Sequence, residues 1–185
     1  MGRCEVCGQN GGYSIEHKDW EIVKKVLFFF NRVRHDKEFC KEHCFETYER
    51  LFLKNETQTV VFQPSINNKY GSYYMFANLE IVKREFMINN LSRADSAKIY
   101  PKVYEVLKNR LNSASSTCQD CSGDSNIVYY PTIWDEFVKN MDMKPEYLCP
   151  KCAFRKIKKT LFEIPNKHFI APHKTDYGIC VGVLD

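Results

Sequence analysis

Two Cys-x-x-Cys pairs, Cys118-Gln-Asp-Cys121 and Cys149-Pro-Lys-Cys152, stand with residues 122–148 between them and run into a basic amphipathic segment, 153–164. Each pair can bite a metal from a tight turn, and four thiolates suit a tetrahedral, border-soft ion such as Zn²⁺. The spacing constrains the fold more than any other feature. A closed thiolate site must bring the two pairs together in space, and it leaves no position for water.

A second set lies near the amino terminus. Cys4-Glu-Val-Cys7 is followed by Gly8, which suits the turn of a knuckle, and Cys40-Lys-Glu-His43-Cys44 leads into a segment whose Phe45, Tyr48 and Phe52 mark one helical face. An offset of 114 places Cys4 on Cys118, Cys7 on Cys121, Trp20 on Trp134, Glu21 on Asp135 and Lys25 on Lys139; after an indel, Cys40 and Cys44 fall on Cys149 and Cys152. The chain therefore reads as two copies of one module. The first site is expected to use Cys4, Cys7, Cys40 and Cys44, with His43 as an alternative ligand. The second is expected to use Cys118, Cys121, Cys149 and Cys152. Two structural Zn²⁺ ions are implied, and a crossed arrangement joining Cys4 and Cys7 to Cys149 and Cys152 is the alternative to two separate sites.

The fold class expected is α+β, with two small zinc modules flanking a mixed central region: residues 1–53, 54–117, and 118–185 with the tail. In the first module Asp19 can cap a helix carrying Trp20, Val23, Leu27 and Phe30. In the centre, 57–63 reads as a strand with 70–77 as its partner, and Leu79, Val82 and Phe86 suggest a helix. Ser92 and Asp95 offer a cap, and Pro101 would begin a helix bearing Val103, Leu107 and Leu111. The segment 113–117 is a joint. The tail is expected to be irregular, with a last strand at 179–184, because Pro165 and Pro172 oppose a helix.

Charge and composition narrow the function. Apolar residues at 44% and charged residues at 27% belong to a folded chain. No apolar run reaches the roughly 18 residues of a membrane span, and the amino terminus lacks a secretory pattern, so a cytoplasmic protein is expected. In a reducing compartment, eight cysteines in four close pairs favour metal over disulfides, with Cys180 the odd thiol. The net charge of +4 arises in 54–117, where nine Lys and Arg face five Asp and Glu. A pI near 8.5 permits nucleic-acid binding without the strong basic footprint of a dedicated binder.

Arg155, Lys156, Lys158 and Lys159 lie opposite Phe154, Ile157 and Leu161 on the last helix and could contact phosphates; a solvated face is the plain alternative. Lys69, Lys83 and Arg84 flank the aromatics Tyr70, Tyr73, Tyr74 and Phe76, a combination able to stack single-stranded bases or simply to form a half-buried strand. His17, in Glu16-His17 between two cysteine pairs and with Asn31 downstream, resembles the layout of zinc-stapled HNH nucleases, which implies a metal-dependent nuclease using His17. Here Glu-His stands in place of Asp-His, and the metal-binding His or Asn expected after the second pair is absent from Phe45-Glu46-Thr47-Tyr48.

Each module also resembles a treble-clef zinc finger. The second, through Cys118, Cys121, Trp134-Asp135-Glu136 and Leu148-Cys149-Pro150-Lys151-Cys152, is similar to small zinc-binding proteins of tailed bacteriophages. That likeness implies a viral protein and carries no assigned activity with it; the basic helix and the central basic and aromatic residues lead to the expectation of a non-enzymatic zinc protein binding nucleic acid or a host protein. A zinc-folded inhibitor or adaptor that blocks a host protein is a further alternative.

Overall fold

The computed structural model describes residues 2–16, 36–56, 58–64, 74–76, 93–163, 168–175 and 178–184. Their order is β1 (Tyr13–Glu16), β2 (Asp36–Phe39), α1 (Lys41–Leu53), β3 (Thr59–Phe62), β4 (Tyr74–Phe76), α2 (Arg93–Asn112), β5 (Ile127–Tyr130), α3 (Trp134–Lys139), β6 (Glu146–Leu148), α4 (Pro150–Glu163), β7 (His168–Thr175) and β8 (Gly178–Leu184). The architecture is mixed α+β. One eight-stranded sheet runs β2-β1-β7-β8-β4-β3-β5-β6.

That strand order is a palindrome of two equivalent units. Each unit is a hairpin, a helix and two strands: β1-β2-α1-β3-β4 in the first and β5-β6-α4-β7-β8 in the second. The hairpins match in register. Tyr13 faces Phe39 as Ile127 faces Leu148, and Ser14 faces Glu38 as Val128 faces Tyr147, so the first strand keeps the offset of 114 and the second takes one of 109. The strands after each helix cross over. β3 lies parallel to β5 of the other unit, while β7 lies parallel to β1. The two units then meet where β4 runs antiparallel to β8, Met75 opposite Val181. Each half completes the other's sheet.

Alternation along the strands serves two cores, as the period of two requires. On β3 all four residues are buried: Val61 joins a cluster with Ile15, Ile127, Tyr129 and Phe169 under α1 and α4, while Val60 and Phe62 join Val128 and Tyr130 under α2 and α3. The first core is aromatic. Phe45 stacks on Phe162 at 4.1 Å, Phe52 lies 5.1 Å from Phe154, and Tyr48 lies 5.4 Å from Phe169. Across the sheet, Phe62 stacks on Tyr130 at 5.1 Å with Trp134 edge-on at 5.2 Å.

The helices form where one face can be buried. In α1 the buried residues Cys44, Thr47, Tyr48 and Phe52 recur at spacings of three and four, and in α4 Cys152, Ala153, Phe154, Ile157 and Leu161 do the same. Pro150 occupies the first helical position of α4, where its missing N–H costs nothing.

The structure corrects two local expectations. The helix expected to begin at Pro101 begins at Arg93 and carries Pro101 inside it. Val103, Leu107 and Leu111 still form its buried face, and that packing tolerates one missing backbone bond. The tail is not irregular. Its two strands pair over their length, with Pro172 accommodated where the register shifts between Ile170 and His173, the kind of position at which a sheet admits proline. The strand pair expected at 57–63 and 70–77 is present as β3 and β4. The Trp20 helix and the helix at 79–87 fall outside the described residues.

Candidate metal centres

Two short turns present the first donors of each centre. In the first, Gly8 N–H donates to the Cys4 carbonyl at 2.9 Å, and Cys4 N–H donates to the Gln9 carbonyl at 2.8 Å. In the second, Ser122 N–H donates to the Cys118 carbonyl at 2.9 Å, and Cys118 N–H to the Gly123 carbonyl at 2.7 Å. The turn needs a left-handed residue. Gly8 supplies it at φ 69°, as a glycine readily does, and Ser122 adopts φ 60° at the equivalent place.

The remaining donors come from the helix starts. Cys40 is the extended residue capping α1, and His43 lies in the first turn; Cys149 and Cys152 take the same places on α4. Cys4, Cys7, Cys40 and His43 bring one donor atom each to within 4.8 Å of one another, as do Cys118, Cys121, Cys149 and Cys152. The two groups are separate, so the crossed arrangement is not formed.

The spacing fits a metal and not a disulfide. Tetrahedral bonds of about 2.3 Å to sulfur put neighbouring sulfurs about 3.8 Å apart. Cys7 Sγ lies 3.9 Å from Cys40 Sγ, and Cys121 Sγ 3.7 Å from Cys149 Sγ, while His43 Nδ1 lies 3.6 Å from Cys4 Sγ and 3.1 Å from Cys40 Sγ. The seven cysteines of the two clusters and Cys44 are free thiols. Each cluster could hold a metal ion.

Cys44, expected as a ligand, is seated elsewhere. It is fully buried in the core beneath α1, and burial, with Cys40 and Cys4 adding to it, pushes its thiol up to about 12. His43 takes the fourth place. The sequence holds the signal that finds this. An offset of 109 sets Cys40 on Cys149, His43 on Cys152, Cys44 on the buried Ala153 and Phe45 on Phe154. Aligning cysteine with cysteine conceals it.

Both clusters favour thiolate at one position. Burial draws the Cys4 thiol upward, but backbone N–H groups of Cys40, Cys7 and Val6 outweigh it and bring the thiol from 9.0 to about 6. Cys118 is lowered to about 6 in the same way, burial being outweighed by the backbone at Cys149, Asp120 and Cys121. Cys152 is pushed to about 12, by burial first and then by the neighbouring thiols. At Cys7 and Cys121 the backbone N–H groups of Gln9 and Gly123 pull downward, yet the neighbouring thiols and burial leave both raised.

The basic face of α4 is mostly paired. Arg155 Nη2 lies 3.1 Å from Asp120 Oδ2, Lys156 Nζ lies 2.7 Å from Glu146 and 3.7 Å from Asp120, and Lys158 Nζ lies 2.7 Å from Glu49. The bond to Glu146 is the main reason the Lys156 ammonium is held above its ordinary value. Lys159 is exposed and has no carboxylate partner among the described residues. His17, Lys69, Lys83 and Arg84 lie outside the described residues, and so do Tyr70 and Tyr73. By register Cys180 stands on β8 between Phe76 of β4 and His173 of β7.

No helix among the described residues is long and apolar enough to cross a membrane. No protein-family model, curated protein or solved structure matches the chain.

Proposed function

We infer that the chain is a zinc-stabilised, non-enzymatic binding module whose two treble-clef-like centres hold the shape of a surface for a protein partner. The observation that carries the reading is the pair of four-donor clusters, each made from a knuckle and the first turn of a helix. Thiolate-rich tetrahedral sets select zinc among the common divalent ions, and a closed set leaves no coordination position for water or substrate. Such centres stabilise a fold and perform no chemistry.

The partner is the less constrained part. Phosphate contact through α4 would require Arg155, Lys156 and Lys158 to give up Asp120, Glu146 and Glu49. That exchange replaces existing ion pairs with new ones and gains little, which favours a protein partner over nucleic acid. The test is fluorescence anisotropy of labelled single- and double-stranded oligonucleotides with the metal-loaded chain. The reading expects no binding at about 50 mM salt, the condition in which phosphate contacts are strongest. Binding that weakens steeply with salt would overturn the protein-partner reading and restore the nucleic-acid one.

A further inference from the structure

The two centres are built on one plan, yet their surroundings differ at each equivalent position that touches the knuckle. In the second centre three side-chain links tie the knuckle down. Gln119 Oε1 accepts from Tyr147 N–H on β6 at 2.9 Å, Asp120 Oδ2 receives Arg155 Nη2 from α4 at 3.1 Å, and Lys156 Nζ approaches the same carboxylate at 3.7 Å. Arg155 Nη2 also lies 3.9 Å from Cys152 Sγ, so one guanidinium spans the knuckle and a ligand sulfur. Lys156 continues to Glu146 on β6 at 2.7 Å.

In the first centre the residues that stand for Asp120, Arg155 and Lys156 cannot form these ion pairs. By the offsets of 114 and 109, Glu5 stands for Gln119, Val6 for Asp120, Glu46 for Arg155 and Thr47 for Lys156. Val6 is 58% exposed. Among the described residues no side-chain ion pair joins this knuckle to α1. What both centres share is backbone only: Glu5 N–H donates to the Glu38 carbonyl at 3.0 Å, as Gln119 N–H does to that of Tyr147 at 2.9 Å.

We propose that the two centres are unequal, the second centre, with its four cysteines, being locked by Asp120 and Arg155 while the Cys7-Cys40-His43 side of the first centre opens and exchanges its metal. This rests on the zinc reading. A metal leaves a closed site only when a ligand arm swings away, and in the second centre that motion breaks an Asp120–Arg155–Lys156 network before any metal–sulfur bond is lost. Electrostatics acts in the same direction. Four thiolates around a divalent ion leave a net charge of −2, three thiolates and a neutral imidazole leave −1, and among the described residues only the more negative centre has a guanidinium against its sulfur. Asp120 and Arg155 are positioning residues, acting on the metal through the ligands they hold.

The full chain loaded with two Co²⁺ ions tests this, since tetrahedral cobalt with four sulfurs and with three sulfurs and one nitrogen gives distinguishable visible spectra. On mixing with excess chelator, the sulfur–nitrogen signature should decay first. Asp120→Asn and Arg155→Gln should each speed decay of the four-sulfur signature by about tenfold or more and leave the other rate unchanged. Arg155→Lys, which keeps the charge, should recover part of the difference. Both residues lie outside the two cores, and an unchanged circular dichroism spectrum excludes general loosening. The proposal is overturned if the four-sulfur centre empties first, if Asp120→Asn leaves its rate within about twofold of the parent, or if both centres accelerate together. A chain that takes up no cobalt overturns the metal reading itself, whereas two ions released at one rate overturn only the inequality.

Discussion

Replacing Cys44 and His43 separately by alanine separates the ligand from its neighbour. Cys44 is wholly buried beneath α1, and its counterpart in the second unit is already an alanine, Ala153. Cys44→Ala removes one atom of roughly methylene size from a packed core, which should cost about 1 kcal/mol and lower Tm by about 2–4 °C in a chain of this length. Metal content should stay at two ions. His43→Ala instead deletes one of four donors from a centre whose metal contributes on the order of 10 kcal/mol to folding, so that centre should empty and the chain should hold one ion. Metal analysis after gel filtration, with thermal unfolding followed by circular dichroism, reads both quantities. Loss of an ion in Cys44→Ala with retention in His43→Ala would refute the assignment and return the first centre to four thiolates.

Metal uptake at pH 7 should release protons, because Cys7, Cys121 and Cys152 are held above the ordinary thiol value while Cys4 and Cys118 lie near 6 and are already largely thiolate. Apparent affinity should therefore rise with pH across 6–9; titration calorimetry in buffers of different ionisation heat would show no buffer dependence if this is wrong. In the metal-free chain, the lowered Cys4 and Cys118 should contribute stability that is complete above pH 9.0 and lost as the pH falls through about 6. Glu49 and Lys158 occupy equivalent positions and face each other at 2.7 Å, so Lys158→Glu should destabilise by about 1 kcal/mol and Glu49→Lys added to it should restore the denaturation midpoint. Failure of the double reversal would deny that the pair is coupled. A cut at the exposed Ser115–Ser116 step should leave both fragments eluting together, since β7 is held by β1 and β3 by β5; separation without denaturant would contradict the crossover.

The repeat was legible because metal ligands and the turns that carry them impose spacing. Cys4, Cys7, Cys118 and Cys121 could be placed from the sequence, and so could the buried faces of α1 and α4, where Tyr48, Phe52, Ile157 and Leu161 follow the helical period. The crossover was not legible. β3 and β4 hold four and three residues, too short to announce which neighbour they join, and the partner of β3 is set by packing of Val61 and Val60 on opposite faces. His43 was legible only as the alternative ligand, because the neighbouring cysteine looks like the better one. The ion pairs of Arg155, Lys156 and Lys158 depend on acids more than seven residues away in sequence, so periodicity alone marked a basic face and could not show its neutralisation.

The central claim is two separate metal centres of different composition on a duplicated, strand-exchanged fold. Metal content of the purified chain, joined to the visible spectrum after cobalt substitution, tests it most directly. Two ions per chain, one with a four-sulfur and one with a three-sulfur, one-nitrogen signature, is the predicted result; one ion or none, or two identical four-sulfur spectra, would contradict it.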